Sequence, residues 1–251
     1  MDTSLVAMLG AIAFATYFQT VTGFGMGMIA LGAASGFQLM PLGTAAVAVS
    51  LLTLLNSPLV LAGKLHHLDR RALGALLLGM IPAIYGGVWL LDYLSRSAST
   101  LLQFLLGTAI TAGCAVLAVK PVRRDRLSSP TANVAAGAFA GLFGGLFGFS
   151  GPPLVFHLYR QPLEQVVVRS TLVTMFACSA AIRVAAVGMQ GGLDAQVWLT
   201  FAAATPLVVA ATFLGRRYPP PLSPPNLRRL AFVAVGLMGA GLMATALGSM
   251  N

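Results

Sequence analysis

Two glycine-broken apolar stretches carry the residues that could bind something. The first runs from Phe14 to Gly32 and reads FATYFQTVTGFGMGMIALG. The second runs from Phe139 to His157 and reads FAGLFGGLFGFSGPPLVFH. Each places Gly-Phe-Gly or Gly-Phe-Ser-Gly inside a run long enough to enter a bilayer, where water cannot satisfy broken backbone. Such a break survives only if protein buries it or it lines a cavity. A helix that restarts at mid-membrane offers backbone N–H groups and the positive end of its dipole, which favours an anion. The candidates in the first break are Gln19, Thr20, Thr22, Gly23, Phe24 and Gly25, with Gly27 beyond. In the second they are Gly148, Phe149, Ser150 and Gly151. Pro152 and Pro153 have no N–H to give and suit the first turn of a new helix. Gly25 and Gly151 are expected to need positive φ or close substrate approach. The competing reading is that the glycines serve only close helix packing; paired breaks flanked by Ser and Thr favour a substrate role.

One cation falls well inside an apolar run. Arg183 sits in MFACSAAIRVAAVG, residues 175–188. Snorkelling to the interface is one account of it. The other is a cavity cation whose guanidinium makes bidentate hydrogen bonds to an oxyanion. Its helical neighbours Ser179, Ala180, Ala186 and Val187 suggest a packed or cavity-facing surface rather than a lipid-facing one. Asn56, in a polar and kinked Asn-Ser-Pro stretch, occupies the corresponding place in the first half, and Thr171 follows a helix start at Arg169-Ser170. Arg169 itself reads as a cytoplasmic anchor, with lining of the inner mouth as the alternative. His66, His67 and His157 read as solvated interfacial residues. The carboxylates Asp2, Asp69, Asp92, Asp125, Glu164 and Asp194 fall in loops or at span ends, so none is placed for a mid-membrane proton relay or sodium site.

The elements that must position these residues are transmembrane helices. Of 251 residues, 57% are hydrophobic and only 8% charged, against about a quarter charged in soluble domains. The formal charge of +9 does not imply nucleic acid, because the basic residues sit in short loops between apolar runs, where they set membrane orientation. No cleavable signal peptide is expected. Cys114 and Cys178 lie inside apolar runs and read as small apolar residues, not a disulfide or metal pair. Nothing calls for a metal or another cofactor.

Eight apolar segments are expected at roughly 4–36, 42–63, 72–92, 99–119, 131–159, 166–188, 195–215 and 227–248. The halves look duplicated. Gly23-Phe24 matches Gly148-Phe149, Leu68-Asp69 matches Leu193-Asp194, Gly43-Thr44 matches Ser170-Thr171, Pro82 matches Pro206 and Leu94-Ser95 matches Leu222-Ser223, in one order and at a nearly constant offset. The expected organisation is repeat 1 over 1–120, a cytoplasmic linker over 121–130 and repeat 2 over 131–251. If all eight segments cross, the loop arginines and lysines divide evenly between the two sides. If segments one and five are re-entrant hairpins, every basic loop residue but Arg96 falls on one side. That bias predicts two inverted repeats, each a glycine-broken re-entrant or discontinuous helix plus three crossings, with both termini outside.

These motifs together resemble the sulfite exporter TauE/SafE family of the toluene-sulfonate uptake permease superfamily. The resemblance rests on the early Gly-Phe stretch of each half, the Gly43-Thr44 and Arg169-Ser170-Thr171 helix starts, Asn56-Ser57, and the mid-helix Pro82 and Pro206, and it covers essentially the whole chain. It implies a plasma-membrane carrier, bacterial or archaeal, for sulfite or organosulfonates, often an exporter. Arg183, where the family commonly has an Asn-type residue, and the run Gln19-Thr-Val-Thr22, where more glycine is usual, depart from its pattern. The expected protein is an all-α secondary transporter whose partners are a small anionic substrate and the lipid bilayer, with a homodimer compatible with the sequence. A channel or scaffold subunit is the alternative. An intramembrane enzyme would need an acid–base pair, nucleophile dyad or metal cluster at depth, and the sequence offers none.

Overall fold

The computed structural model describes residues 3–61, 68–118, 123–218 and 224–250. Ten helices follow in order: α1 (Thr3–Thr22), α2 (Met26–Gly36), α3 (Leu42–Leu61), α4 (Arg70–Ser97), α5 (Ser99–Ala118), α6 (Pro130–Phe147), α7 (Gly151–Tyr159), α8 (Gln165–Met189), α9 (Ala195–Arg217) and α10 (Pro224–Met250). The described residues include no strand. Among the described residues, seven helices are long and apolar enough to cross a membrane: α1, α3, α4, α5, α6, α8 and α9. Large apolar side chains such as Leu78, Trp89, Phe213 and Leu237 stand exposed around the bundle, which is the surface a bilayer covers.

The two long apolar segments break where the glycines stand. Segment one becomes α1 and α2, and segment five becomes α6 and α7. Gly23 and Gly25 take φ of 93° and 106°, and Gly148 takes 73°, a left-handed region that costs other residues about 1–2 kcal/mol. Gly25 therefore behaves as its sequence suggested. Gly151 opens α7 without positive φ, and a Cβ there would meet nothing within 4 Å, which removes the first of its two expected roles and leaves close substrate approach. The bend of the second break is made by Gly148, because Pro152 and Pro153 already commit the chain to helix from Gly151 onward.

Capping repeats between the halves. Asp69 accepts from Ala72 N at the start of α4, and Asp194 from Val197 N at the start of α9, at 3.0 and 2.8 Å. Packing repeats as well: α6 lies on α4 as α1 lies on α9, α5 pairs with α10, and α3 with α8. The α4–α6 contact is backbone on backbone. A Cβ on Gly137 would lie 2.0 Å from the Leu76 carbonyl oxygen, and one on Gly141 would lie 2.5 Å from that of Met80. These glycines fulfil the packing reading, and at the breaks Gly27 and Gly148 also approach their neighbours closely, Phe149 and Ala46.

The chain before α6 and the chain after α7 meet. Arg124 N donates to Arg160 O at 2.7 Å, and the Arg123 guanidinium donates to Leu163 O at 3.0 Å. The α6–α7 pair thus leaves and returns to the same end of the bundle. Arg169 on α8 and Arg216 on α9 share a pocket with the C-terminal ends of α1 and α3. At the opposite end, Arg96 ion-pairs with Asp92 at 3.0 Å. Lys64, His66, His67, Lys120 and Leu222-Ser223 lie outside the described residues, as do the side chains of Arg228 and Arg229.

Candidate functional site

The two breaks meet at a small cavity. Gly27, in the first turn of α2, packs so closely on the second break that a Cβ there would sit 2.7 Å from Phe149 Cβ. Around this contact lies a cavity of about 40 Å³, room for water. Gln19, Phe24, Gly25, Gly148, Phe149, Ser150, Gly151 and Arg183 all line it. Residues from both breaks and from α8 are therefore brought together as the sequence suggested.

The backbone donors lie further along the chain than expected. Gly23 N is already bonded to Gln19 O as part of the last turn of α1, at 2.7 Å. The hydroxyl of Thr20 is on Thr16 O, and that of Thr22 lies within hydrogen-bond reach of Phe18 O and Phe24 O. These groups finish α1 rather than offering hydrogen bonds to a ligand. The first bond internal to α2 runs from Ile29 N to Gly25 O at 3.0 Å. Met26, Gly27 and Met28 thus supply the N–H groups without an in-helix acceptor, at the positive end of the α2 dipole, and all three residues line the cavity. The matching end of α7 is poor in donors, because Pro152 and Pro153 have none.

Arg183 stands beside that poorer break. Its residue is 1% exposed, which removes the snorkelling account. Nη1 donates to Gly144 O at 2.7 Å and also to Gly145 O. These carbonyls are in the last turn of α6, the negative end of its dipole. Nε and Nη2 are buried and have no partner. Those two nitrogens form one edge of the guanidinium fork, so the cation is held by one terminal nitrogen while a bidentate face remains open. Arg183 also lines a larger cavity of about 650 Å³ shared with Asp92, Arg96 and Gln190; it stands between that vestibule and the centre.

Five expected site residues lie away from the central cavity. Thr20 lines a second vestibule beside Arg169. Thr22 and Gly23 close the end of α1, as above. Asn56 is fully buried and bonded to Thr212 of α9 at 2.7 Å, with Nδ2 unpartnered. Thr171 accepts from Asp69 N at 3.3 Å, fastening the start of α4 to α8. Two other readings need correcting. Arg169 is no loose anchor: its Nη2 donates to Thr20 O and Val21 O at 2.7 and 3.2 Å. His157 is half-buried and its Nε2 is 2.7 Å from Asn133 Oδ1, not solvated. Ser179, read with the cavity-facing side of α8, lines the cavity, and sequence reasoning missed Ser50, Thr53 and Phe176, which also line it. Ser50 and Thr53, one turn apart in an otherwise apolar α3, were a legible polar stripe.

Comparison with known proteins places this geometry. The family model described as Sulfite exporter TauE/SafE matches residues 8–242. The chain belongs to that family. It is a multi-pass membrane protein by the match and by its seven long apolar helices. A relative in Cupriavidus necator, named "Probable sulfite/organosulfonate exporter TauE", is 48% identical over 243 residues, covering 97% of this chain and 94% of the relative. A second, in Comamonas testosteroni, named "Probable inner membrane transporter protein TsaS", is 30% identical over 177 residues, covering 70% of this chain and 72% of the relative. No solved structure shows a significant match to the chain.

Proposed function

We propose that this protein is a secondary transporter, working as an exporter, of small sulfur oxyanions such as sulfite or organosulfonates, in the bacterial inner membrane. The observation that carries the reading is the unpartnered Nε and Nη2 of buried Arg183, a residue that lines the cavity where two helix breaks meet. A buried cation without a carboxylate partner is costly. An oxyanion would complete its hydrogen bonds and neutralise it, with Met26–Met28 N–H groups and the hydroxyl of Ser150 closing round the other oxygens.

In this reading, residues 1–120 and 131–251 are inverted repeats joined by a cytoplasmic linker at 121–130. Each contributes one re-entrant hairpin, α1–α2 or α6–α7, whose tip reaches the substrate. The return of α6–α7 to one end of the bundle and the repeated Asp69 and Asp194 caps support it. The basic end then faces the cytoplasm and both termini face outside. The central cavity is too tight for a sulfonate without movement, so alternating access widens it toward one vestibule at a time. A negative interior drives each exported negative charge outward by about 2.3 kcal/mol per 100 mV, so export requires no coupling ion. Counterflow in proteoliposomes tests the proposal: external unlabelled sulfite or taurine should accelerate exit of the labelled anion, and flux should saturate. Linear flux without counterflow identifies a channel, and no flux of either anion refutes the substrate class.

A further inference from the structure

The pocket at the basic end of the bundle has no role in the central site. It holds about 340 Å³ between the ends of α1, α3, α8 and α9 and is lined by two arginines, Arg169 and Arg216, with buried Ser170 beside them. Each arginine hydrogen-bonds backbone carbonyls through a single terminal nitrogen. Arg169 Nη2 holds Thr20 O and Val21 O, and Arg216 Nη1 holds Leu59 O at 2.8 Å. The rest of the wall is mainly Val and Leu, and no carboxylate is among the lining residues. Arg169 is half-buried and Arg216 exposed at the mouth, and two guanidinium groups on one pocket with no facing carboxylate favour a small anion. The mouth at the other end differs, because its Arg96 is neutralised by Asp92 at 3.0 Å.

We propose that the Arg169–Arg216 vestibule is a second anion-binding site, which captures a small sulfur oxyanion before it reaches Arg183; this rests on the transport reading above. Arg169 also forms the wall between vestibule and centre. Its Nε lies 3.0 Å from where a Cβ on Gly23 would be, and the carbonyls it holds belong to the last turn of α1, next to cavity-lining Gln19. An oxyanion competing for its guanidinium loosens that tie at the first break. Capture at one end thereby favours opening toward that end. The basic end is the one the loop charges assign to the cytoplasm, where an exporter must load.

Equilibrium dialysis with [35S]sulfite, under anaerobic conditions in dodecyl maltoside, tests the site. Wild type should bind two sulfite ions per chain, Arg183→Gln one, and Arg169→Gln/Arg216→Gln one. Arg216→Gln alone leaves the α1 tie intact and should weaken the outer site about tenfold, a loss of one charge-assisted hydrogen bond. It keeps the test open if the double variant fails to fold. One ion in wild type, abolished by Arg183→Gln but unchanged in Arg216→Gln, overturns the vestibule site and leaves the transport reading standing. No saturable binding to any of the folded proteins overturns both. Co-purifying phospholipid phosphorus, lost in the Arg216→Gln protein while sulfite stoichiometry is unchanged, also overturns the proposal and makes the site a lipid-phosphate contact.

Discussion

Replacing Arg183 should separate charge from geometry. Its guanidinium is 1% exposed, tied through Nη1 to the last turn of α6, and open along the Nε/Nη2 edge. A bound oxyanion would accept two charge-assisted hydrogen bonds from that edge, each worth about 1.5–3 kcal/mol. Arg183→Gln removes both hydrogen bonds and the charge. Taking the lower end for both, the loss is about 3 kcal/mol, or roughly 150-fold in affinity. Arg183→Lys keeps the charge but has no planar fork, so one hydrogen bond of about 1.5 kcal/mol is lost, roughly tenfold. The assay is calorimetry with sulfite on detergent-solubilised protein, after gel filtration confirms that each variant is folded. The expected order of affinity is wild type, then Lys, then Gln. Equal dissociation constants for the three folded proteins would mean that Arg183 only staples α8 to α6, and the site reasoning would be wrong.

Two other expectations follow from the breaks and from the loop charges. Gly148→Ala puts a side chain on a φ of 73° with its Cβ 2.8 Å from Ala46 Cβ, so it should cost about 1–2 kcal/mol in strain and lower transport more than tenfold. Gly151→Ala should keep its melting temperature within about 2 °C but weaken sulfite binding, because its Cβ enters open space beside the cavity; normal binding by Gly151→Ala argues that the anion sits elsewhere. For topology, single cysteines at Thr3 and Gly248 on a Cys114- and Cys178-free background should react with an impermeant maleimide from outside, and one at Ser128 only after permeabilisation. Labelling of Ser128→Cys in intact cells contradicts the cytoplasmic linker.

The breaks were legible because glycine is the residue that adopts positive φ without strain, and a polar residue in an apolar run has few reasons to be there. That logic found Gly25, Gly148, Ser150 and Arg183. It misplaced the donors because sequence shows where a helix is interrupted but not on which side of the interruption its hydrogen bonds are already used. Thr20, Thr22 and Gly23 close the last turn of α1, so the open N–H groups begin at Met26. It offered Gly151 either positive φ or close substrate approach, and the first fails because the two prolines extend α7 back to Gly151. It could not give Arg183 a partner, because the partners are main-chain carbonyls of a helix about forty positions away, and every residue carries a carbonyl. The same limit explains Arg169. A basic residue at a helix start reads as an interfacial anchor, yet its guanidinium reaches the exposed end of α1. Both arginines lie on α8, four turns apart, and each holds the C-terminal end of a different broken helix. A single helix therefore touches both breaks. Under the proposed alternating access, this shared helix would link the two vestibules, and the link depends on a spacing of fourteen residues that only the folded chain makes meaningful.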